Sequence, residues 1–205
     1  MRSDEWNVAL FTYGLLTPGQ SGYEEEATSL LNSININIKD CHTIGKTAIG
    51  MSKEELFDIL PRCNVFISMS HGSKSQEMQI KHNPDTYIEI DDIDSLENGS
   101  LCNVKLLVLM HCDLGADYAN GDNIANAFAA KGVNVIISFP EEIGYLCELW
   151  IANLTDSIAQ GNTIEDAILQ ADASLHEFDN DKDKINVYST DTRYIIGDIS
   201  SVPCS

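Results

Sequence analysis

The sequence predicts an α/β fold in three layers, a mainly parallel central sheet of about six strands with helices on both faces. Two observations carry this reading. Short apolar runs at 65–70, 104–110 and 133–139 alternate with segments of helical periodicity, the order that gives parallel strands joined by crossover helices. The run Val104 to Met110 is also nearly continuous in apolar residues, as a central strand buried on both faces requires.

Val8 to Tyr13 opens the chain as the first strand, and Gly14, Pro18, Gly19 and Gly22 make the turn that closes it. Ser21 and Glu24 form a capping box for a first helix whose Tyr23, Ala27, Leu30, Leu31 and Ile34 share one face. Ile34, Ile36 and Ile38 then alternate with Asn35, Asn37 and Lys39, which predicts an edge strand with one wetter face. Ser52 and Glu55 cap the next helix, which buries Leu56, Ile59 and Leu60 and stops at Pro61.

Val65 to Ser70 is the third strand. Residues 73–100 are polar and read as a hairpin or excursion over the top of the sheet, with Tyr87, Ile88 and Ile90 its convincing strand. After the central strand, Asp122 begins a helix that turns Ile124, Ala125 and Phe128 inward and ends at Gly132. Val133 to Phe139 is the fifth strand, stopped by Pro140. Helices are predicted over 142–160 and 163–177, the second capped by Thr163 and Asp166. Residues 178–192 read as a loop, and Arg193 to Gly197 as a last short strand.

The 205 residues, 43% of them hydrophobic, suffice to bury one core, so residues 1–205 are read as a single domain. A net charge of −20 disfavours phosphate backbones and anionic lipid, which argues against nucleic-acid and membrane partners. Met1 to Trp6 lacks the pattern of a signal peptide, and no apolar run reaches the ~20 residues of a membrane helix. The six cysteines are scattered without a CxxC pair, which suggests free thiols in a reducing cytoplasm. Tyr13-Gly14-Leu15 supplies no phosphate loop after the first strand, so a nucleotide or flavin site is not supported.

The chemistry concentrates at His71 and Cys112, each at the end of an apolar run. A thiol becomes a good nucleophile only when a neighbour removes its proton or stabilises the thiolate, and an imidazole does both. Alone, a strand-end cysteine is most often a small hydrophobe, and a histidine before glycine a turn residue. Together, at the carboxyl ends of neighbouring parallel strands, they occupy the place where such folds bind ligands. Cys112 would attack a carbonyl carbon, His71 would protonate the leaving amine, and the N–H groups of Gly72 and Cys112 would hold the oxyanion. Cys41-His42 and His111-Cys112 are poor dyads, because adjacent strand residues point to opposite faces, and the four lack the paired spacing of a zinc site.

The segments VFISMSHGS, LLVLMHCDLGA, GDNIANAFAAKGVNVIISFPEEI and IAQGNTIEDAILQA resemble the CHAT branch of the caspase-like cysteine peptidases, and Tyr194 to Asp198 is similar to the closing strand of gingipain-type domains. The likeness covers residues 60–198. It implies a caspase-like sandwich, a cysteine endopeptidase activity, a dyad of His71 and Cys112, and oxyanion donors at Gly72 and Cys112. It departs at Met110 and His111, where the family commonly has small residues, leaving His111 either to shape the pocket or to serve structure alone.

The resemblance further implies a protein or peptide substrate, no cofactor, and activation by a sensor partner or by processing, with 73–100 and 178–192 as the segments that respond. CHAT-like peptidases work in signalling and bacterial defence. Several relatives recognise Arg or Lys before the cleaved bond, and Asp113 and Glu141 are the acids expected to meet such a side chain. Asp179, Asp181 and Asp183 begin like an EF-hand loop, but Lys184 and Thr190 stand where Gly and Glu are required, so the calcium motif fails.

Overall fold

The computed structural model describes residues 6–12, 41–43, 52–63, 65–69, 71–81, 86–114, 123–139, 147–175 and 186–189. In chain order the strands are β1 (Trp6–Thr12), β2 (Cys41–Thr43), β3 (Val65–Met69), β4 (Met78–Lys81), β5 (Thr86–Ile88), β6 (Leu106–Met110), β7 (Val135–Ser138) and β8 (Asn186–Ser189). The helices are α1 (Lys53–Ile59), α2 (Ile90–Asp94), α3 (Ile124–Ala130), α4 (Cys147–Ala159) and α5 (Ile164–Leu175). Among the described residues six strands form one sheet in the order β2-β1-β3-β6-β7-β8, while β4 and β5 make a separate antiparallel hairpin. All pairings in the large sheet are parallel except β7 with β8. This is the predicted α/β sandwich.

Alternating residues of the central strands send their side chains to opposite faces, and both sets are buried. Phe66, Leu107, Leu109 and Ile136 join Leu56 of α1, Ile93 of α2, Ile124 and Phe128 of α3, and Met78, Ile80 and Ile88 of the hairpin in one core. On the other face lie Val65, Ile67, Val108, Val135 and Ile137, also buried. Phe139 continues that parity beyond β7 and meets Trp150 of α4 edge-to-face, with centroids 5.6 Å apart. Trp150 is in turn held by its indole N–H, which donates to Asp172 of α5 at 2.7 Å.

The helix starts follow the local code. Ser52 and Glu55 make the reciprocal capping box, with Pro61 in a 3-10 turn after α1. The Thr163 hydroxyl accepts from Asp166 N–H at 3.0 Å, and Gly132 and Gly161 take left-handed φ at the two helix ends. Asn123, one residue later than expected, caps α3.

Among the described residues the strand beyond β1 is Cys41–Thr43, and the alternating isoleucines 34–38 lie outside the described residues. Three expectations are corrected. Ile90 begins α2 rather than continuing a strand, because Glu89 and Asp92 form their own capping box there. The segment read as a loop over 178–192 contains β8, which pairs antiparallel with β7, while 193–197 lies outside the described residues. Finally, Cys102 is disulfide-bonded whereas Cys63 and Cys112 are not, so the expectation that all the cysteines are thiols does not hold.

Candidate active site

Parallel pairing of β3 with β6 places Met69 opposite Met110, and His71 and Cys112 each follow two residues beyond that pair. The two segments stay together past the strands. A Cβ built on Gly72 would lie 2.1 Å from the Cys112 carbonyl oxygen, 2.9 Å from Leu114 Cγ and 3.0 Å from His111 Cβ. Glycine is needed here because the chain after His71 packs directly against the chain around Cys112. His71 is exposed and Cys112 half-buried, so both stand at the surface end of the sheet.

The rest of the chain at this edge is held by buried polar side chains. His111, fully buried, places Nδ1 3.0 Å from the His71 carbonyl oxygen and Nε2 2.8 Å from Ser68 Oγ. Burial pushes its pKa down to about 4, so the ring is neutral. A carbonyl can only accept, so Nδ1 carries the proton and donates to His71, and Nε2 accepts from the Ser68 hydroxyl. Gln79 N–H donates to the same His71 carbonyl at 3.0 Å, in the antiparallel bridge of Gly72 with Met78. Loss of water around the His71 ring holds its pKa below the ordinary value, which favours the neutral imidazole that accepts a proton.

Gln76 ties the loop after His71 to the loop after Cys112. Its side-chain Nε2 donates to the Asp113 carbonyl at 2.9 Å, and its Oε1 accepts from Ile124 N–H, at the start of α3, at 3.0 Å. Gln76 is buried, and both Gln76 and Asp113 adopt positive φ, at 64° and 63°. The chain therefore turns sharply just after Cys112 and is pinned there. Sequence reasoning missed Gln76 and Ser68, because their hydrogen-bond partners are far away in the chain.

The sequence-predicted residues divide accordingly. His71, Gly72, Cys112 and Asp113 meet at one edge, whereas Glu141 lies outside the described residues. Cys41 and His42 are in β2, separated from β6 by β1 and β3 and so about 14 Å away at ordinary strand spacing. They do not join His111 and Cys112 in a metal site. Cys63 is a contrasting thiol: it is buried, donates to the Leu60 carbonyl at 3.2 Å, and burial pushes its pKa up to about 12.

Solved structures share this architecture. The pro- and mature-domain complex of RgpB from Porphyromonas gingivalis superposes with a TM-score of 0.74 at 12% identity, over 94% of this chain and 49% of that one. Separase from Saccharomyces cerevisiae, in its complex with securin, superposes with a TM-score of 0.63 at 13% identity, over 90% of this chain and 12% of that one. The Drosophila initiator caspase Dronc gives 0.55 at 9% identity, over 96% and 85%.

The fold is caspase-like. The chain spans about half the length of the gingipain chains it matches. No protein-family profile matches its sequence, and no curated protein does. At this identity the caspase-like neighbours establish architecture alone.

Proposed function

We propose that residues 1–205 form a cysteine endopeptidase domain of the CHAT type, with Cys112 as nucleophile and His71 as acid and base. The observation that supports this most is the β3–β6 register, which carries His71 and Cys112 to one edge with Gly72 packed on the Cys112 backbone. The caspase-like neighbours include the Arg specific cysteine proteinase gingipain R. His71 takes the thiol proton, and the Cys112 thiolate forms a C–S bond to the scissile carbonyl carbon as the carbonyl electron pair moves to oxygen. The N–H groups of Gly72 and Cys112 stabilise that oxyanion. The carbonyl re-forms as the C–N bond breaks, with His71 giving its proton to the departing amine. Water, deprotonated by His71, then cleaves the thioester and releases the Cys112 thiolate.

The substrate is a protein segment with Arg or Lys before the cleaved bond, met by Asp113 and Glu141. An acidic chain with net charge −20 favours such substrates, and Asp113 directly follows the nucleophile. Regulation is by a sensor partner or by processing, as in bacterial defence systems. RgpB with its pro-domain and separase with securin offer protein-bound precedents on this fold. The test is cleavage of fluorogenic peptides that differ in the residue before the bond, by wild-type protein and Cys112→Ala in parallel. Cleavage after Arg or Lys that Cys112→Ala abolishes supports the reading. Cleavage that survives Cys112→Ala refutes it, and a Cys112 no more reactive than the other thiols in an inactive protein points to an idle scaffold.

A further inference from the structure

We propose that His111 is a positioning residue that locks the peptide unit between His71 and Gly72, and thereby aims the Gly72 N–H at the oxyanion. This rests on the cysteine peptidase reading and adds a residue to it. The His71 carbonyl and the Gly72 N–H belong to one trans peptide, in which the two groups point in opposite directions. Two donors hold the carbonyl, His111 Nδ1–H and Gln79 N–H, each at 3.0 Å. His111 is fully buried beneath the sheet edge, so anchoring the carbonyl on it turns the Gly72 N–H away from the core.

The imidazole itself is held in one tautomer. Ser68 Oγ, 2.8 Å from Nε2 and also fully buried, supplies the hydrogen bond that leaves the proton on Nδ1. Ser68, His111 and the His71–Gly72 peptide are therefore joined by a continuous set of hydrogen bonds, buried at its Ser68 end, that leads to the proposed oxyanion donor. A small residue at 111 could not span it. A flipped peptide would present a carbonyl where the developing negative charge needs a donor.

The experiment compares His111→Leu, His111→Asn and His111→Gln by peptide cleavage, melting temperature and alkylation of Cys112 with iodoacetamide. Asparagine puts its N–H the same number of bonds from Cβ as Nδ1, whereas glutamine reproduces the reach of Nε2. In the leucine variant kcat falls roughly 100- to 1,000-fold with KM nearly unchanged, the loss typical of an oxyanion donor. Asparagine restores most of kcat and glutamine does not. Alkylation of Cys112 forms no oxyanion, so it stays within about threefold of wild type in every folded variant.

If leucine prevents folding, Ser68→Ala supplies the test, since it frees the tautomer without removing the ring. Its kcat falls about 3- to 10-fold with little change in KM. Wild-type kcat in a folded leucine variant overturns the proposal, as does asparagine rescuing no better than glutamine. For Ser68→Ala an unchanged kcat does the same. Cleavage that survives Cys112→Ala overturns the peptidase reading itself, a result readily told apart from these.

Discussion

The carbonyl oxygen of Cys112 lies 2.1 Å from the point where a Cβ on Gly72 would sit, a separation that no side chain can occupy. The obstacle is backbone, so it cannot rotate aside as a flexible side chain would. Gly72→Ala therefore has to push β3 and β6 apart at their ends. The expected cost is about 2–3 kcal/mol of stability, together with loss of peptide cleavage by about 100-fold. Urea unfolding and peptide cleavage check the two effects, and an alanine variant as stable and active as wild type would show that the close approach is absent.

Thiol reactivity separates Cys112 from Cys63. Burial pushes the Cys63 pKa up to about 12 and its thiol is engaged with the Leu60 carbonyl, so almost no thiolate exists near pH 8. Cys112 is half-buried at the sheet edge and reachable by a small reagent. Limited alkylation followed by peptide mapping should find Cys112 modified at least about 100-fold faster than Cys63. Equal rates would mean that the core around Cys63 opens as readily as the site.

His111 makes stability depend on pH. Its folded pKa is lowered from the ordinary value of 6.5 to about 4, chiefly by burial, so between those values the unfolded chain binds more protons. The stabilisation is complete above about 6.5 and is lost as pH falls through about 4, with an upper bound of about 3 kcal/mol. Melting temperatures of wild type and His111→Asn across this range test it: the asparagine protein should lose less stability on acidification. Parallel curves would assign the acid sensitivity to other groups.

Gln76 combines a conformational cost with two long-range hydrogen bonds. Gln76→Ala leaves the Asp113 carbonyl and the Ile124 N–H without their partner and keeps a non-glycine residue at φ 64°. A loss of about 2–3 kcal/mol is expected. Gln76→Gly loses the same bonds but tolerates the backbone, so it should be more stable than the alanine variant by about 1 kcal/mol. Denaturant unfolding of the pair checks the order; alanine above glycine would contradict the positive φ.

Much of the fold was legible in the residues, unevenly along the chain. The capping box at Ser52, the Thr163 cap and the apolar run ending at Met110 stand where periodicity and capping chemistry put them. Ile90 was misread because an isoleucine after Tyr87 and Ile88 continues an apolar pattern equally well as strand or helix start. The acids at 89 and 92 decided it by capping each other's backbone. Asn186–Ser189 was missed because a strand flanked by charge has no local signal until β7 offers it an edge.

By itself the sequence determined the central strands ending at Met69, Met110 and Ser138, and that His71, Gly72 and Cys112 follow the first two, since burial on one or both faces is written in local periodicity. Tertiary structure alone decided the rest of the site. The β3–β6 register, the descent of His111 onto Ser68 and the reach of Gln76 to Asp113 and Ile124 join residues roughly 40 positions apart. Partners at that distance are chosen by which buried donors and acceptors the packed strands bring within hydrogen-bond range, a choice no local pattern encodes.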